Sequence, residues 1–166
     1  AQSDLADHAA LAWAQAAYRF TRYHSNDDAP SGDGSDDSDK VARLCLPENT
    51  AAAALQGAIK GSFLARDLIN TPASDMGPEE LADAAVALAD EFGAKANVIV
   101  GDDLLAENYP AIHAVGRAST RAPRLIDLRW GEGDAPRLTL VGKGVCFDTG
   151  GLDLKSAAGM LKMKKD

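Results

Sequence analysis

Between Gly77 and Val141 the apolar residues switch repeatedly between helical and strand spacing, and this alternation restricts the chain to a layered α/β architecture. Gly77-Pro78-Glu79-Glu80 is a helix start, with proline in the first turn and two carboxylates at the positive end of the helix dipole. Leu81, Ala85, Leu88 and Phe92 then form one apolar face, and Gly93 closes the helix. Asn97 to Val100 has strand character, Asp102 to Asn108 is a short helix begun by an aspartate cap, and Ala111 to Val115 is a further short apolar piece. Arg124 to Trp130 and Arg137 to Val141 are two more strands, separated by the turn-rich Gly131-Glu132-Gly133-Asp134. This order predicts helices flanking a central sheet, with ligands gathering at the carboxyl ends of strands.

Upstream of that alternation the chain is less regular. Leu5, Ala9, Ala12, Ala16 and Phe20 recur near a helical period, which predicts an amphipathic helix from Leu5 to about Tyr23. The stretch that follows is rich in Asp, Ser, Gly and Pro and reads as a polar surface loop over 26–39. It lacks the regular acidic positions and closing glutamate of a calcium-binding loop. Val41 to Leu46 alternates as a short strand before Pro47, where a domain boundary is expected. From about Asn49 to Asn70 a long helix is predicted, with Leu55, Ile59 and Phe63 in register and Thr71-Pro72 ending it.

Charge narrows the function classes. The formal net charge is −8, and the 26–39 loop alone holds six aspartates and no cation, so the remainder carries only −2. No basic stripe is left to neutralise a phosphate backbone, which argues against nucleic acid as a partner. Cys45 and Cys146 are far apart and form no CxxC pair, so neither a disulfide framework nor a zinc knuckle is expected, and a reducing cytoplasm fits. No apolar run approaches the roughly 20 residues that span a bilayer, so no membrane association is expected.

The chemistry lies in Lys143 to Asp166, KGVCFDTGGLDLKSAAGMLKMKKD. Leu138, Leu140 and Val145-Cys146-Phe147 have the character of buried strand, while Gly142, Gly144, Gly150 and Gly151 mark places where backbone turns tightly or approaches a ligand. A lysine in such an apolar setting must reach solvent or lose its proton, and a neighbouring divalent cation favours the neutral amine. Taken singly, a Lys or Asp at a strand end is ordinarily solvent-facing or structural. Here Lys143, Asp148, Lys155 and Asp166 stand together at offsets of five, twelve and twenty-three residues from the first.

That set, with LARDLINTP and VGKGVCFDTGG, resembles the leucyl aminopeptidases, a family of two-metal exopeptidases, from about Ala58 to Asp166. The resemblance implies an α/β fold with an incomplete mixed central sheet. Residues 1–47 would be the tail of a smaller N-terminal α/β domain with its acidic loop, and 48–166 a linker helix and the first part of the catalytic domain. It implies a hydrolase that releases N-terminal residues, with leucine-type preference, from peptide substrates in the cytoplasm, working as a homo-hexamer with two divalent ions, Zn2+ or Mn2+. Lys143 would ligate the tighter ion through its neutral amine and Asp148 would bridge both. Asp166 would complete the tighter site and help hold the substrate's free amino terminus. Lys155 would stay protonated as the catalytic group on the scissile carbonyl oxygen, stabilising its oxyanion. Met163 matches a position lining the pocket for the first side chain, although a plain core methionine is an equal reading.

Two departures accompany the resemblance. Ser156 stands where a proline often follows the catalytic lysine, leaving the local loop shape open. The downstream run resembling NTDAEGR, which supplies an Asp, a Glu and an Arg, does not occur before Asp166. With Ala1 in place of an initiator Met, this predicts a fragment holding part of a metal site and inactive by itself. The alternative is a non-catalytic interaction module of the same fold. Asp148-Thr149-Gly150 also matches the triplet of aspartic proteases, which need an all-β setting and a second lobe. Phosphate-binding DxGG turns of sugar kinases open their chains, unlike FDTGG here, and Leu154 before Lys155-Ser156 rules out a P-loop. His8, His24 and His113 lack HExxH spacing.

Overall fold

A computed structural model describes residues 2–24, 44–46, 51–148, 152 and 154–163. The chain divides into two compact units, Ala1–Asp67 and Leu68–Asp166. The elements in order are α1 (Gln2–Ala17), α2 (Ala52–Asn70), α3 (Pro78–Glu91), β1 (Lys95–Val100), α4 (Asp103–Ala106), α5 (Pro110–Gly116), β2 (Arg124–Arg129) and α6 (Ala157–Met160). The α/β class expected from the alternating periods is what forms.

In the first unit α1 meets α2 through a polar and aromatic seam. Gln15 Nε2 donates to Ser62 Oγ, and Arg66 Nη1 donates to the Gln15 carbonyl at 2.9 Å. The Arg66 guanidinium lies 4.1 Å from the Tyr18 ring centroid, and Tyr18 packs edge-on to Phe63 at 5.1 Å. Cation–π and T-shaped contacts of this kind add to area burial. The buried line of α1 is Ala10 and Ala14, whereas Leu5, Ala9, Ala12 and Ala16 are exposed, so the expected apolar face is the wrong one. Alanine occurs on every side of this helix, so spacing alone cannot choose a face; the partners for Gln15 and Tyr18 do. The helix also ends at Ala17, six residues short of the expected Tyr23.

The second unit is built around α3 and a two-stranded antiparallel sheet. Pro78 opens the helix, Glu79 and Glu80 sit in its first turn, and Glu80 Oε2 accepts the Gly77 N–H at 2.9 Å. Gly93, at φ +65°, ends it, with the Ala94 N–H returning to the Ala89 carbonyl at 2.8 Å. The buried stripe is Ala82 and Ala89, both 2% exposed, while Phe92 of the expected face is 58% exposed. Small side chains win this position because they let a sheet approach the helix closely.

β1 pairs with β2 from Lys95↔Arg129 to Val100↔Arg124, and the covered part is one end of the ribbon, Val98 to Val100 against Arg124 to Ile126. The long connection between the strands contains α4 and α5, with Leu104 fully buried. Two expected strands do not form. Residues 137–141 and 145–147 have no regular structure, and Leu138, Leu140 and Val141 are more than four-fifths exposed. Alternating apolar residues fit a pleated face, but a strand exists only when a neighbouring backbone takes its N–H and C=O groups, and among the described residues none does. Residues 44–46 of the expected Val41–Leu46 strand are likewise irregular; 41–43 and the 26–39 loop lie outside the described residues.

Candidate metal centre

The glycine-rich segment leaves β2 through the turn at Gly131 and runs without regular structure to Asp148. Its middle leans on the floor of the second unit. A cavity of about 50 Å³ is lined by Leu68, Ile69, Met76 and Leu81 on one side and Gly144, Val145 and Cys146 on the other. A Cβ on Gly144 would stand 3.0 Å from Leu81 Cδ2, so glycine is what allows the backbone this close. In the sequence Gly144 marks a close approach and Leu81 belongs to the expected apolar face of α3, but nothing there pairs the two, and Met76 carries no signal.

Beyond Cys146 the chain folds back on itself. Lys155 Nζ donates to Asp148 Oδ2 at 2.8 Å, with the side chains 32% and 45% exposed respectively. The Asp148 backbone N–H points at Met163 Sδ, 3.1 Å away. The structure therefore brings Asp148, Lys155 and Met163 into one cluster, with carboxylate and backbone of Asp148 each held by a different downstream residue. Met163 is a half-buried partner of the Asp148 backbone, which no spacing rule indicated.

Lys143 sits on the same segment, exposed to solvent, five residues before Asp148. Asp166, the last expected ligand, lies outside the described residues. Ser156 begins α6 as its N-cap, its hydroxyl accepting the Gly159 N–H at 3.3 Å, so the departure from proline supplies a capping oxygen in its place.

The donors suit a divalent ion. A carboxylate oxygen is a hard ligand, an amine nitrogen a borderline one, and Asp148 already receives a cationic group at 2.8 Å while staying half-open to solvent. Among the described residues no three His, Cys, Asp or Glu side chains converge. Of the residues expected at the centre, the structure joins Asp148 and Lys155 directly, and Lys143 lies on the segment leading to them.

Comparison with known proteins places these residues in context. Residues 63–166 match the cytosol aminopeptidase family, catalytic domain. A probable cytosol aminopeptidase of Rhodococcus opacus is 39% identical over 168 residues, which cover 95% of this chain and 32% of that protein. The crystal structure of a cytosol aminopeptidase from Coxiella burnetii superposes with a TM-score of 0.81 at 48% identity, over 96% of this chain and 32% of the other. The bottromycin maturation enzyme BotP in complex with Mn superposes with a TM-score of 0.75 at 33% identity, over 99% of this chain and 33% of the other. The chain spans about a third of the length of the relatives it matches.

Proposed function

This chain belongs to the cytosol aminopeptidase family, and from that we propose that it carries the first part of a two-metal centre that removes N-terminal residues from peptides. The observation that carries the reading is the 2.8 Å contact between Lys155 and Asp148, because it sets an ammonium within reach of whatever Asp148 holds. Lys143, Asp148 and Asp166 are the proposed metal ligands, with Asp148 shared between two ions and Asp166 also receiving the substrate's amino terminus. Zn2+ or Mn2+ fits this mixture of oxygen and amine donors, and the manganese complex of BotP supports a divalent ion. When bound, such a pair lowers the pKa of a water and polarises the peptide carbonyl.

The remaining steps belong to the chain's own side chains. Lys155 keeps its proton and donates to the carbonyl oxygen as that oxygen gains negative charge. A donor fixed before the reaction needs no reorganisation during it, which is why it favours the transition state over the bound substrate. Ser156 and α6 hold the backbone after Lys155, and Met163 holds that of Asp148. Met163 also borders the proposed space for the first side chain, where a leucine-type residue is preferred. Residues 1–47 are proposed as the tail of a smaller N-terminal domain and 48–166 as linker helix and early catalytic domain. Hexameric assembly and a cytoplasmic location complete the proposal, the latter supported by the name of the relatives. Among the described residues no helix is long and apolar enough to cross a membrane.

The test uses the full-length protein with Mn2+ or Zn2+ and a leucyl peptide. Lys155→Ala is expected to keep its metal content by elemental analysis while turnover falls by about 10²–10³. Loss of metal equal to the loss of turnover would contradict the role given to Lys155. A full-length wild type that takes up neither ion would leave the non-catalytic module as the reading. The 166-residue chain alone is expected to release no amino acid.

A further inference from the structure

We infer that Arg121 is a positioning residue for the candidate centre, acting through the 73–81 turn against which Gly144 to Cys146 lean; this rests on the metal-centre reading above. Arg121 enters from the loop before β2 and reaches three acceptors that are adjacent in space. Its Nη2 donates to the Ser74 carbonyl at 2.8 Å, and its Nη1 to the Ala73 carbonyl at 3.3 Å and to Glu80 Oε2 at 3.2 Å. The same Glu80 oxygen accepts the Gly77 N–H, so one carboxylate ties the guanidinium to the start of α3. A planar fork of donors can satisfy two carbonyls and a carboxylate together, which a single ammonium cannot.

The turn is built to receive this group. A Cβ on Gly77 would fall 2.1 Å from Arg121 Nη1 and 2.9 Å from its Cδ, so the guanidinium occupies the space that any other residue at 77 would fill. Gly77 has φ −91° and ψ −171°, ordinary extended geometry, so its absent side chain serves Arg121 and not the backbone angle. The turn itself is wound by the Asp75 and Met76 N–H groups on the Pro72 carbonyl, both at 2.9 Å. It delivers Met76, 7% exposed, beside Leu81 on the floor of the 50 Å³ cavity. Across that cavity stand Gly144, Val145 and Cys146, three of the four residues between Lys143 and Asp148. Displacing Arg121 therefore loosens the support under the segment that spaces the two proposed ligands. The ion pair with Glu80 is half-exposed and weak on its own. The effect comes from the two carbonyls being held.

The structure itself supplies two independent ways to remove the clamp. Arg121→Ala deletes the group; Gly77→Ala evicts it while leaving Arg121 in the sequence. In the full-length protein, amide hydrogen exchange over 143–148 is measured without metal, and Mn2+ affinity by calorimetry. Each variant is expected to speed exchange at 144–148 and weaken Mn2+ binding, both by roughly tenfold, as loss of a ligand's supporting contacts typically does. The double variant is expected to be no worse than Arg121→Ala alone. Arg121→Lys, the milder change because it preserves the charge, is expected to fall between. Faster exchange confined to 71–80, with 144–148 and Mn2+ affinity unchanged, would overturn the proposal, as would additive effects in the double variant. If wild type binds no Mn2+, the metal reading fails by itself, and the exchange arm still decides the clamp.

Discussion

Glu80 shows how one side chain can serve several neighbours at once. Its carboxyl is held below the usual value of 4.5 first by its own backbone N–H and next by that of Gly77; burial opposes this, and the positive charges of Arg121 and then Arg124 add the smallest lowering effects. A carboxyl whose pKa falls on folding contributes stability that is complete above its ordinary value and is lost as pH drops through the lower folded value. Thermal scans of the full-length protein are therefore expected to show wild type above Glu80→Gln at neutral pH, with the gap closing from pH 4.5 downward. A gap that stays constant into acid would remove Glu80 from that role. At this scale the sequence was informative about chemistry and silent about geometry. Lys143, Asp148, Lys155 and Asp166 stood out because together, at their spacing, they resemble the pattern of the leucyl aminopeptidases; taken singly each would pass for an ordinary surface or strand-end residue. The Met163 sulfur on Asp148 N–H and the Arg121 clamp did not, because each joins residues whose proximity is set by the path of the intervening chain.

Elements with their own punctuation were legible, and those that depend on a neighbour were not. α3 announced both ends through Pro78, Glu79, Glu80 and Gly93, and α2 ended at Asn70 before Thr71-Pro72. β1 and β2 followed from their branched residues and lie close to the expected bounds. The 137–141 pattern was as good as theirs, yet it remains unpaired among the described residues, since a strand is a property of two backbones. Pairing also exposes a conflict within the ribbon, because Lys95 stands opposite Arg129. Like charges placed so disfavour the register. Arg129 instead turns onto Asp127, two residues back on the same face, with Nη2 at 2.8 Å and Nε at 3.0 Å from Oδ2. The start of β2 depends on a tighter fit. A Cβ on Gly116, at the end of α5, would stand 2.4 Å from Pro123 Cβ, immediately before the strand. Gly116→Ala is expected to destabilise by about 1–3 kcal/mol through overpacking, seen as a lower midpoint in thermal or urea unfolding. An unchanged midpoint would mean that the α5–β2 junction yields without strain.

At the scale of the molecule the apolar surface is unusual. Leu138, Leu140, Val141, Leu152, Leu154 and Leu161 are all at least 78% exposed, and they lie in the segments that surround the candidate centre. Exposed apolar side chains favour association, at about 25 cal/mol per Å² removed from water. The 166-residue chain is expected to bind a hydrophobic dye such as ANS and to self-associate as its concentration rises, followed by light scattering. Leu138→Ser with Leu140→Ser is expected to reduce both signals, and indifference to these changes would exclude the run as the cause.

The β1–β2 ribbon behaves differently, for a reason visible at its two extremities. The Gly101 N–H reaches the Pro123 carbonyl at 2.9 Å just past one end, and Trp130 Nε1 reaches the Phe92 carbonyl at 3.0 Å beyond the other. A zipper fastened at both pulls gives way only after a fastening does, so opening the six rungs from either extremity first costs one of these two bonds.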